Sequence, residues 1–135
     1  MVDKTKTLTL STQDKSKKLS FVDIEYLGSG AYSCEIHVDS SGFMCKREFG
    51  FDNDEFFLSK IKDVVNLQQG EAELTDLQAD SFIRFKPYVD EEILITGYLV
   101  EHTNVTQSIE FAFMVSKTGI NKFISDFEKM VRTNI

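Results

Sequence analysis

Between Ala31 and Ser40 the chain reads AYSCEIHVDS, with Tyr32, Cys34, Ile36 and Val38 apolar and Ser33, Glu35, His37 and Asp39 polar. A period of two puts alternate side chains on opposite faces, so this stretch predicts a half-buried strand. SSG at Ser40–Gly42 supplies a hairpin turn. The return strand, FMCKREFGF, places Phe43, Cys45, Phe49 and Phe51 on one side. Arg47 interrupts that side, which predicts a bulge or a guanidinium that snorkels to the surface. Upstream, KTLTL reads as a short strand, STQDKSKK (residues 11–18) as a polar break, and the run through Ile24 and Tyr26 as a strand ending in the GSG turn at Gly28–Gly30.

Beyond Asp52 the period changes. Phe57, Ile61, Val64 and Val65 fall at i, i+4, i+7 and i+8, one face of a helix that Gly70 should stop. EAEL, SFIRFKPYV, ILITGYLVEH and SIEFAFMVS then read as strands, with Pro87 at a strand end. In the last of these Ile109, Phe111, Phe113 and Val115 point inward. TGINKFISDFEKMVRTN closes the pattern as an amphipathic helix, its stripe made by Ile120, Phe123, Ile124, Phe127 and Val131. Long strands, tight turns and two separated helices predict an α+β fold. The expected architecture is a single domain over residues 1–135, with a mostly antiparallel sheet of about seven or eight strands. Helices at residues 53–68 and 119–132 should pack on one face of that sheet. Residues 1–18 could form a loosely attached strand and polar loop.

The helix start raises a question of chemistry. Asp52, Asp54 and Glu55 lie within four positions, as in a calcium loop. An EF-hand needs a ligand, a glycine and a glutamate at its fifth, sixth and twelfth places. Here those places hold Phe56, Phe57 and Asp63. The same spacing fits a capping box, with Asp52 as N-cap, Glu55 three residues later and Asp54 favoured by the helix dipole. Phe51 would staple onto Phe56.

Charge narrows the partners. The chain has 15 Lys and Arg against 22 Asp and Glu, a net charge of -7. Residues 1–20 hold five lysines and two aspartates, so residues 21–135 hold ten basic and twenty acidic residues. An acidic body repels phosphates, which argues against a nucleic-acid ligand, and speeds encounter with a basic partner. No apolar run approaches the ~20 residues of a membrane helix, and the N-terminus lacks the apolar core of a signal peptide. A cytoplasmic protein without a membrane partner is the expectation.

No catalytic or metal constellation stands out. His37 and His102 belong to no zinc-ligand spacing. Cys34 and Cys45 sit on apolar faces of one hairpin, as reduced, buried small hydrophobes. GSG lacks the lysine and spacing of a phosphate loop, and no serine sits in a nucleophile elbow. No catalytic residue, metal or cofactor is therefore expected, and the chain reads as a non-enzyme. The uncovered sheet face is the better candidate, since mixed acidic, aromatic and methionine surfaces are frequent at protein interfaces. On it the pattern places Glu35, His37, Glu48, Tyr98, Glu110 and Met114. The turn Asp90, Glu91 and Glu92 is the second choice.

The order of elements also carries a resemblance over residues 43–131. A helix with an acidic start, DNDEFFLSKIKDVVNL, leads to Gly70, Ala72 and Leu74. Next come a strand with the central Gly97, an aromatic strand with Phe111 and Phe113, and a helix with Ile120, Phe123 and Phe127. In this it resembles the WapI-type immunity proteins, small bacterial proteins encoded beside polymorphic toxins. Family members often carry D-Q-[ST] after the aromatic strand; here Ser116, Lys117 and Thr118 stand there, and only the threonine agrees. The resemblance implies an inhibitor that binds a cognate toxin domain and has no chemistry of its own. It carries over no functional residue. Two other classes stay open. One is a non-enzymatic module holding a small apolar ligand between sheet and helices. The other is an enzyme of unrecognised type.

Overall fold

The computed structural model describes residues 6–78, 80–102 and 105–134. Within them the chain is α+β, with eight strands and two helices. Strands β1 (Lys6–Ser11), β2 (Lys17–Gly28), β3 (Ala31–Ser40) and β4 (Phe43–Phe51) form one antiparallel sheet in the order β1-β2-β3-β4. Helix α1 (Asp54–Leu67) follows. Strands β5 (Ala72–Thr75), β6 (Phe82–Pro87), β7 (Ile93–His102) and β8 (Thr106–Val115) form a second antiparallel sheet in the order β5-β6-β7-β8. Helix α2 (Lys117–Thr133) is the last element. The strand set expected as one sheet is thus two sheets of four. α1 separates the two sheets: β5 pairs with β6, and among the described residues the chain meets the outer edge of β4 only at Gly50, whose carbonyl accepts from the Leu77 amide at 2.9 Å and whose amide donates to Asp76 Oδ1 at 2.9 Å.

The hairpins follow local turn chemistry. Ser41 and Gly42 both have positive φ, 50° and 101°, between β3 and β4. That backbone suits the right-handed twist of the paired strands. The alternation read from β3 holds, with Tyr32, Cys34, Ile36 and Val38 buried. Arg47 makes no bulge, because the β3–β4 register runs without a shift. It does not snorkel either. Its Nε donates to the carbonyl of Val100 at 3.1 Å, a direct bond between the two sheets. The first strand pairs along β2, and Leu8 and Leu10 are buried; residues 1–5 lie outside the described residues.

One contiguous core joins both sheets and both helices. The centre is a chain of rings organised by α2. Phe123 lies 5.7 Å from Phe21 of the first sheet and 5.7 Å from Phe85 of the second, ring centre to ring centre. One turn on, Phe127 meets Phe51 of β4 at 6.1 Å and Phe57 of α1 at 5.1 Å. Such tilted and offset pairs add to the stabilisation from burial alone. Ser116 caps α2, its hydroxyl accepting from the Gly119 amide at 3.3 Å. The helix therefore begins at Lys117, three residues before Ile120, the first residue of its apolar stripe.

The start of α1 departs from the expected capping box. Asp52 and Glu55 are exposed. The residue before the helix is Asn53, left-handed at φ 56° and making no side-chain cap. Asp54 is the structural carboxylate. It is 8% exposed, accepts from the Tyr32 hydroxyl at 2.9 Å through Oδ2, and from the Glu55 amide at 2.7 Å through Oδ1. Gly30 lies against it: a Cβ there would stand 2.9 Å from Oδ1. Phe56 is exposed, so no staple to Phe51 forms; Phe57 is the buried ring. At the other end the left-handed residue is Gln68, two positions before Gly70.

Gly97 has a specific use in the second sheet. It stands opposite Phe111 in the β7–β8 register, and a Cβ there would fall 2.2 Å from Cζ of that ring. The missing side chain lets Phe111 lie flat across β7 and stack on Phe113 at 6.1 Å.

Candidate interaction surface

The nine residues singled out from sequence do not share one face. The split into two sheets separates them into three patches. Glu35 and His37 on β3 and Glu48 on β4 lie on the outward side of the first sheet, opposite the buried Cys34, Ile36 and Phe49. His37 Nε2 is 2.6 Å from Glu35 Oε1. Across the strands Glu35 faces Glu48, and His37 faces Lys46. A pair of like charges directly opposite one another is unfavourable in a sheet. Among the described residues no cation stands within ion-pair distance of Glu48.

The second patch is the outward side of the second sheet. Phe82, Tyr98 and Glu110 form one row across β6, β7 and β8. Arg84, Thr96 and Ala112 form the next, and Lys86, Leu94 and Met114 the third. Phe82 and Tyr98 are 6.0 Å apart. The Arg84 guanidinium sits 4.5 Å from the Phe82 ring centre. Its charge is spent within the face, on Glu73 at 2.8 Å and Glu71 at 3.7 Å. Glu110 has no such partner among the described residues. Tyr98 and Glu110 thus stand opposite each other, and Met114 lies two rows away on the same side. Phe82, Leu94 and Arg84 belong with them and were missed, although the alternation in SFIRFKPYV places Ile83 and Phe85 inward and so turns Phe82 and Arg84 outward.

The third patch is the β6–β7 connection. A single 3-10 turn spans Val89–Glu91. Asp90 and Glu91 both have positive φ, 55° and 64°. Two consecutive left-handed residues other than glycine carry backbone strain of the kind found at functional sites. The turn is closed by Tyr88 N donating to Glu92 O at 2.9 Å and Glu92 N to Val89 O at 3.0 Å. Tyr88 and Val89 are exposed beside the three carboxylates. Lys117 approaches Glu91 at 3.9 Å. Glu92 lines the same depression as Leu94, Ala112 and Met114, so this patch continues into the second.

The groups with chemical potential elsewhere are held structurally. Cys34 is buried, burial pushes its thiol up to about 12, and its Sγ donates to the Phe49 carbonyl. Burial also raises Cys45, and both cysteines are free. Tyr32 is raised by burial and by the Asp54 carboxylate. Among the described residues no three His, Cys, Asp or Glu side chains are placed to hold a metal ion. The side chain of His102 lies outside the described residues. No described helix is long and apolar enough to cross a membrane. Comparison with protein-family models, with curated proteins and with solved structures finds no match.

Proposed function

We propose that this chain is an immunity protein: it binds a cognate bacterial toxin domain in the cytoplasm and neutralises it, with no catalysis of its own. The observation that carries the reading is the outward side of the second sheet. There Phe82, Leu94, Tyr98 and Met114 are all at least partly exposed, beside Glu110 and continuous with the Asp90–Glu92 turn, and the β1–β2 turn walls only the Leu94 and Met114 end. Aromatic and methionine anchors with carboxylates around them suit a basic protein partner. The net charge of -7 adds long-range attraction toward such a partner. The motif order that resembles the WapI-type family points the same way. A small apolar ligand between sheet and helices has less support, because the Phe21, Phe85 and Phe123 rings stack in that space.

The test is capture. The C-terminal domain of the protein encoded immediately upstream, co-expressed with this chain, should co-purify with it and lose its toxicity. Absence of both binding and protection would sink the reading.

A further inference from the structure

β8 ends the second sheet. β7 pairs along one of its edges, and no described strand pairs along the other. It is long, ten residues from Thr106 to Val115, and matches β7 without a register shift. An edge of this kind presents a row of backbone N–H and C=O groups to any extended chain that reaches it. Proteins usually blunt such edges with lysine, proline or a bulge. TQSIEFAFMV has none of these, and its only charge is Glu110.

A groove on the outward face reaches this edge. Ala112, Phe113 and Met114 line it together. Consecutive strand residues point to opposite faces. A groove touching all three, with Tyr88 and Leu94 on the β7 side, lies over the outward face and reaches as far as the strand's backbone. Its other walls include Asp14 and Lys17 of the β1–β2 turn, and Glu92. The space is about 650 Å³. The turn is firmly built: Asp14 Oδ1 accepts from the Ser16 amide at 3.0 Å, the Thr12 hydroxyl at 2.7 Å and the Ser16 hydroxyl at 2.8 Å.

We infer that the free edge of β8 accepts an extended segment of the partner, which adds to the second sheet as its fifth strand with basic and apolar residues alternating. The apolar side of that segment meets Ile109 and Phe111, which are only partly buried. The basic side meets Glu110, Glu92 and Asp14. A second copy of this chain fits less well, since it would bring its own Glu110 and a net charge of -7 to an edge already acidic. That the segment belongs to a toxin rests on the reading above; the strand addition itself does not.

The experiment follows β8 amide exchange by NMR in the full chain, with an acetylated octapeptide of alternating lysine and valine as probe. In an edge strand every second amide lacks a ladder partner and exchanges fast. Strand addition should protect those alternate amides between Thr106 and Val115. A peptide with glutamate in place of lysine should bind about tenfold or more weakly, roughly 1.4 kcal/mol. No gain in protection, or equal protection by both peptides, overturns the inference. Protection that rises with chain concentration before any peptide is added overturns it in favour of a second copy. Capture of the toxin domain with these amides still fast removes the strand addition and leaves the function. Peptide binding without toxin capture does the reverse.

Discussion

The Tyr32 hydroxyl donates to Asp54 Oδ2 at 2.9 Å, and both residues are buried although they lie 22 positions apart. The bond ties the middle strands of the first sheet to the first turn of α1. Removing one partner of a buried hydrogen bond leaves the other unsatisfied, which costs more than the bond itself contributes. Tyr32→Phe should lower unfolding free energy by about 1–3 kcal/mol in urea titrations. Gly30→Ala should destabilise for two reasons, a φ of 78° and a Cβ placed 2.9 Å from the Asp54 carboxylate. Pairing it with Asp54→Ala, which removes that carboxylate, should recover part of the Gly30→Ala loss. Full additivity of the two would contradict the contact.

Gly97→Ala should force the Phe111 ring off β7, since the new Cβ would overlap it at 2.2 Å. Overpacking of this kind costs about 1–3 kcal/mol. Phe111→Leu in the same chain should recover part of that loss. A simple sum of the two single changes would show that the glycine serves something other than the ring.

Phe123→Ala should cost about 3–5 kcal/mol, the range for a buried ring. The ring touches both sheets, so the change should lower protection from exchange in β2 and β6 together. Loss confined to one sheet would mean that α2 does not couple them.

The Asp14 carboxyl is lowered to about 2 by the Ser16 amide first, then by the Thr12 and Ser16 hydroxyls. A depressed folded-state value contributes stability that is present above the ordinary value of 3.8 and lost as pH falls through 2. Asp14→Asn should therefore lower Tm at neutral pH, and the gap from the wild type should close between pH 3.8 and 2. A constant gap across that window would exclude the carboxylate as its source.

Charge reversal of Asp90, Glu91 and Glu92 should slow association with a basic toxin domain at low salt and change little at high salt. Leu94→Ala with Met114→Ala should instead speed dissociation, as loss of buried anchors does. Stopped-flow binding at two ionic strengths separates these effects.

The parts of the fold set by local periodicity were legible in the chain. Alternation in AYSCEIHVDS and SIEFAFMVS gives the buried faces of β3 and β8, and the stripe from Ile120 to Val131 gives α2. What escaped is what distant pairing decides. Nothing near Arg47 announces a carbonyl acceptor at Val100 in the other sheet. Nothing near Asp54 names Tyr32, so the acid cluster read as a cap at Asp52 when its middle member was the buried one. The candidate surface shows the same boundary. Which side of each strand faces outward was readable, whereas the division into two sheets, and with it the separation of Glu35 from Tyr98, was not.

The ring chain of α2 sets an order for synthesis. Phe123 and Phe127 are made after every strand, yet they supply the surface on which both sheets rest, and α2 also touches β1. Strands emerging from the ribosome must hold their apolar faces without that surface until residue 127 has cleared the exit tunnel. Contacts between the earliest and latest elements slow folding. Until then Phe21 and Phe85 lack the ring they pack on, and strands with exposed apolar faces and unpaired edges are open to pairing with other chains.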